Sequence, residues 1–144
     1  MKGTLSSTVT TDIQATPEKV WEALTNPEMI RQYLFGTNTD TDWKPGSRIR
    51  FYGTYNDHTY EDKGTILENT PCKRLSYTYW SSMSNTEDKP ENYSEVTYEL
   101  EPGGDTTTLS VTQDNISNEE VKAHSSENWK KVLEGLKQLV ENKA

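Results

Sequence analysis

At the end of the chain, Val121, Ser125, Trp129, Val132, Leu133, Leu136, Leu139 and Val140 keep one apolar stripe on a single helix, and this stripe limits the fold more than any other feature. Asn118 precedes it as a cap, and Glu119 and Glu120 suit the positive end of its dipole. A stripe of that length has to be covered. The rest of the chain offers mostly strands, so an antiparallel sheet must curve around the helix to bury it.

The strands announce themselves by alternation. Leu5, Val9 and Ile13 share one face with Ser7 and Thr11, while Thr4, Ser6, Thr8, Thr10 and Asp12 point the other way. After the turn Lys44-Pro45-Gly46-Ser47, Ile49, Phe51, Gly53 and Tyr55 face one side, and Arg48, Arg50 and Tyr52 the other. Asn56-Asp57 turns the chain into a strand from Tyr60 to Glu68, with Gly64 and Ile66 on one face, which Asn69-Thr70-Pro71 breaks. Leu75, Tyr77 and Tyr79 alternate next, then Val96, Tyr98 and Leu100 after a long polar run from Ser81 to Asn92. Glu101-Pro102-Gly103-Gly104-Asp105 is a hairpin turn into Leu109 and Val111. Short turns between consecutive strands mean antiparallel pairing.

Between the first and second strands stands ATPEKVWEALTNPEMIRQYLFG, which reads as two short helices. Thr16 caps the first ahead of Pro17, and Asn26-Pro27 ends it and opens the second. Val20, Trp21 and Leu24 form one stripe, Met29, Ile30, Tyr33 and Leu34 the other, and Gly36 is a stop. The fold class is therefore α+β: a curved antiparallel sheet wrapped around a long C-terminal helix. The two short helices are the elements available to close the open end of the groove, as a lid.

Composition bounds the function. At 144 residues the sequence is one domain, 1–144. Lys and Arg number 15 against 23 Asp and Glu, and the net charge of −8 repels phosphate backbones and anionic lipid, so no nucleic acid is expected. No apolar run is long enough to span a membrane, and MKGTLSSTVT lacks the apolar middle of a signal peptide. The lone Cys72 excludes an internal disulfide and suits a reducing compartment. A cytoplasmic location is expected.

The hydrophobic set makes up only 31% of residues yet includes 4 Trp and 8 Tyr, so a few large rings with polar tips must supply much of the buried area. The lid contributes Trp21, Leu24, Met29 and Tyr33; the sheet contributes Trp43, Phe51, Tyr55, Ile66, Tyr77, Tyr79 and Tyr98; the long helix contributes Trp129, Leu133 and Leu136. Taken singly, each reads as core. Together, several inward hydroxyls need partners, which a cavity with water or a polar-tipped ligand supplies. These residues are the expected ligand-binding cavity, and its expected partner is a hydrophobic small molecule, flat or elongated, with a few oxygens.

Catalytic constellations are not evident. His58 and His124 are too few for an all-histidine zinc site, and no metal is expected. Lys73 and Arg74 beside Cys72 favour a lowered thiol pKa, but no base is assignable. Adjacent Glu61 and Asp62 fall on opposite faces and read as a solvated edge. Gly103-Gly104 has acidic neighbours and no following lysine, so no phosphate loop and no cofactor are expected.

The segments ATPEKVWEALTNPEMIRQYLFG, WKPGSRIRF, GTILENTPCKRLSYTY and NWKKVLEGLKQLVE, in that order and spacing, resemble the START-like (Bet v 1-like, SRPBCC) helix-grip superfamily. More closely they are similar to the branch named for the activator of the Hsp90 ATPase, over about Leu5 to Glu141. The resemblance implies a cavity between sheet and long helix that binds lipid-like or polyketide- and flavonoid-like ligands. It also implies two alternatives: a chaperone partner in a stress response, acting through a surface such as the acidic Glu87, Asp88 and Glu91, or a cavity enzyme of cyclase or hydrolase type. With no reacting pair nominated, a non-enzymatic role is the expectation. Many relatives carry glycine before the helix tryptophan; Asn128 stands there in this chain, implying a narrower cavity near the middle of the helix.

Overall fold

The structure is a computed structural model that describes residues 5–34, 36–55, 57–81 and 87–141, with Tyr55 described by its backbone alone. Strand β1 (Leu5–Ile13) leads into helices α1 (Pro17–Thr25) and α2 (Pro27–Tyr33). The short β2 (Asn38–Asp40), then β3 (Arg48–Tyr55), β4 (His58–Thr70), β5 (Arg74–Tyr79), β6 (Ser94–Gly103) and β7 (Thr106–Ile116) follow, and α3 (Glu119–Glu141) closes the order. The strands form one antiparallel sheet in the order β1-β7-β6-β5-β4-β3-β2. This curved sheet holding a long helix is the helix-grip arrangement expected from the sequence.

Alternation fixes the inward face. Tyr98 pairs with Val111 and Leu100 with Leu109, while Val9 on β1 pairs with Val111 from the other side, so apolar side chains align across neighbouring strands. Ile13, Ile49, Ile66, Leu75, Leu109 and Ile116 are fully buried there. Onto them α3 lays Val132, Leu133, Leu136 and Val140. Its stripe is shorter than expected: Val121 is 45% exposed, because the first turn of α3 projects past the core. The Asn118 side chain accepts from the Val121 backbone N–H at 2.9 Å, as a cap should. Farther along, a Cβ added at Gly135 would stand 3.2 Å from Tyr33 Cβ; the missing side chain lets α2 approach α3 closely.

The two short helices share one residue. Asn26 donates its backbone N–H to the Glu22 carbonyl, ending α1, and its side chain accepts from the Glu28 backbone N–H, starting α2. Thr16 caps α1 by accepting from the Lys19 N–H. Val20, Ala23, Leu24, Met29, Ile30 and Tyr33 are buried, while Trp21 and Leu34 are half-buried against the same core.

In the long polar run, residues 82–86 lie outside the described residues and Pro90–Asn92 forms a single 3-10 turn. Of the turn expected at Asn56-Asp57, Asn56 likewise lies outside them.

Candidate functional site

Between the middle of the sheet, the first half of α3 and the link after α2 lies a cavity of about 210 Å³. Its wall on the sheet is aromatic. Phe51 on β3 meets Tyr77 and Tyr79 on β5 with ring centroids 5.6 and 5.9 Å apart, and Tyr98 on β6 continues the row 6.4 Å from Tyr77. Trp129 on α3 stands edge-on to Tyr98 at 6.0 Å, and Val96 and Val132 also line the cavity. Leu34 and Thr37, in the link after α2, border the cavity, and exposed Asn128 borders it from α3, where it reaches solvent; α1 and α2, expected as its lid, supply none of this lining and pack into the core instead.

Polar groups are set into this wall. The inward alternation of β4 that buries Gly64 and Ile66 also turns Asp62 inside, opposite Phe51 in the register and only 8% exposed. The Tyr79 hydroxyl donates to Asp62 Oδ2 at 2.6 Å. Burial first, and the Asp62 charge second, push the Tyr79 phenol far above its ordinary range. Burial likewise raises Tyr77 and Tyr98. Across the cavity, Gln113 Oε1 on β7 accepts from the Trp129 indole N–H at 2.9 Å and from the Ser125 hydroxyl at 3.2 Å. Thr37 shares a 2.6 Å hydroxyl contact with Tyr60.

A second void of about 20 Å³ lies under α1 and α2, bordered by Leu24, Tyr33 and Trp43 and sharing Phe51, Tyr77 and Tyr98 with the first. It is about the size of one water.

Of the expected cavity residues, the structure therefore brings Phe51, Tyr77, Tyr79, Tyr98 and Trp129 to the main wall, and Leu24, Tyr33 and Trp43 to the smaller void. Met29, Ile66 and Leu136 are buried in the core, and Trp21 packs half-buried on the core's side. Leu133 is also buried in the core and borders an outer groove, with Thr8, Val9 and Lys130. The Tyr55 side chain lies outside the described residues. Tyr33 has no need of cavity water, since its hydroxyl donates to the Ala23 carbonyl at 2.9 Å.

Sequence reasoning missed Asp62, Gln113, Thr37, Leu34, Val96 and Val132. The reading of Glu61 and Asp62 as a solvated edge holds for Glu61, which pairs with Arg50 on the outer face at 2.6 Å, and fails for Asp62. The expectation for Cys72 also reverses: partial burial, with Glu18 adding to it, raises the thiol pKa, leaving a poor nucleophile. His58 and His124 are exposed, and among the described residues no group of three or more His, Cys, Asp or Glu is placed to hold a metal. In the acidic run, Asp88 is engaged by Lys63 and by the Tyr93 hydroxyl at 2.5 Å, and Glu87 by Lys89 at 3.1 Å. No helix among the described residues is long and apolar enough to cross a membrane.

A sheet gripping a long helix, with an aromatic cavity between them, defines a helix-grip domain. A family model described as Activator of Hsp90 ATPase homolog 1-like protein matches residues 14–141, and the chain belongs to that family. Among solved structures it is similar to ChR145 from Cytophaga hutchinsonii, with 45% identity and a TM-score of 0.86 over 99% of this chain and 98% of that one. Protein MLL2253 from Mesorhizobium loti matches with 25% identity and a TM-score of 0.79, covering 97% and 99% of the two chains. The Aha1 dimer from Colwellia psychrerythraea matches at 21% identity and a TM-score of 0.75, over 97% and 99%, a likeness of fold. A comparison with curated proteins gives no match.

Proposed function

We propose that this protein binds a small apolar molecule with a polar tip in the cavity between sheet and α3. The observation that carries the reading is the pairing of an aromatic wall with a buried carboxylate and phenol, Asp62 and Tyr79, on the same surface. An apolar surface that also carries a carboxylate and a phenol suits a guest that is apolar in body and polar at one end.

The volume sharpens the guest. A cavity of about 150 Å³ takes benzene and drug-sized ligands fill about 300 Å³ or more. At about 210 Å³ this one suits a body of one or two rings. A three-ring flavonoid or a lipid chain exceeds that volume.

Two-dimensional amide NMR with a panel of one- and two-ring aromatic compounds tests the reading. Saturable shifts at Phe51, Tyr77, Tyr98 and Trp129 are expected. Shifts confined to the outer strands and loops, or none, would overturn it.

A further inference from the structure

We infer that Asp62 sets what the cavity accepts: ligands presenting an O–H or N–H donor in preference to ligands that end in a carboxylate. The inference rests on the cavity being a binding site and names the chemistry of its guest. Asp62 is more than nine-tenths buried, lies on the cavity wall, and stands opposite Phe51 in the sheet register. A carboxylate offers about four acceptor positions, so it holds more than one donor at once, the Tyr79 hydroxyl among them.

Several other polar groups share the wall, among them the Tyr77 and Tyr98 hydroxyls and the Asn128 amide. Gln113 Oε1 holds both Trp129 and Ser125, and the Thr37 hydroxyl is shared with Tyr60. Asp62 thus supplies the strongest acceptor facing the guest, because hydrogen bonds to an ionised oxygen are about twice as strong as neutral ones. An anionic guest meets the opposite situation. Two like charges a few ångströms apart, screened by protein on several sides, repel far more than they would in water.

Three probes of one shape separate these effects: naphthalene, 2-naphthol and 2-naphthoate, titrated by amide NMR at neutral pH. For the native protein, 2-naphthol is expected to bind about tenfold or more tighter than naphthalene, with 2-naphthoate weakest. In Asp62→Asn, the ratio of 2-naphthol to 2-naphthoate affinity should fall about tenfold or more. An unchanged ratio in a folded Asp62→Asn protein would overturn the inference.

Should that variant not fold, Tyr79→Phe decides, since it keeps the carboxylate and removes the neighbouring phenol. The preference for 2-naphthol should persist or grow. Its collapse would assign selection to Tyr79 and sink the role of Asp62. Equal binding of all three probes to the native protein would overturn this inference while leaving the cavity as a binding site; failure of all three to shift interior amides would overturn both.

Discussion

The Trp129 indole N–H donates to Gln113 Oε1 at 2.9 Å, tying the middle of α3 to β7 at the edge of the cavity. The same oxygen accepts from Ser125, one turn earlier on the helix. Gln113→Leu would leave both donors without their acceptor. We expect a loss of about 1–3 kcal/mol, read from the urea midpoint, together with a change in tryptophan emission as the indole loosens. Unchanged emission and stability would mean that the side-chain amide does not hold the tryptophan.

Tyr33, Tyr77, Tyr79 and Tyr98 all have phenol pKa values raised chiefly by burial. The unfolded chain releases these protons near about pH 10, whereas the folded protein retains them to higher pH. Above that value the folded state therefore binds more protons than the unfolded one, and stability falls as pH rises. In a titration followed by tyrosinate absorbance, part of the signal of the 8 tyrosines should appear only with cooperative unfolding. A smooth titration of all of them near pH 10 in folded protein would contradict the burial.

A Cβ built on Gly64 would lie 1.6 Å from the Thr78 carbonyl oxygen, which is backbone and cannot step aside. Gly64→Ala should cost about 3 kcal/mol or more and disturb the β4–β5 pairing. Gly53→Ala is the matched control. There the nearest atom is the Tyr60 hydroxyl at 2.7 Å, the end of a side chain that can rotate, so its thermal midpoint should fall much less.

Asn26→Ala removes the side-chain acceptor at the start of α2. A loss of about 1 kcal/mol is expected in urea unfolding, with faster amide exchange in the first turn of that helix. Thr16→Ala, at the start of α1, should show the same kind of effect in its own first turn.

The fold was legible because its signals are local. Pro17 and Pro27 beside capping side chains, and alternation from Leu5 to Val111, are read without knowing what packs where. The cavity was legible only in part. Its rings announced themselves by size, but a large ring in the core and a large ring on a wall look alike in sequence, as Met29 and Ile66 among the aliphatics also illustrate. Asp62 could have been found. It stands two residues before Gly64 and four before Ile66, both already placed inward, and its charge obscured a periodicity that the neighbours made plain. Gln113 hid in the same way, two residues after inward Val111. Its purpose depends on Trp129, which only the folded chain brings beside it.

Asn26 joins two helices through a single residue, and the Tyr33 hydroxyl binds the Ala23 carbonyl across the same corner. The two helices are thus braced at their junction and at one strut beyond it. Mechanically they make one stiff leaf, entered near Ala15, where the chain leaves β1, and left at Gly36, whose φ of 85° suits glycine. The brace therefore serves packing: Val20, Ala23, Leu24, Met29, Ile30 and Tyr33 enter the core as one unit, so loosening the corner loosens both helices at once.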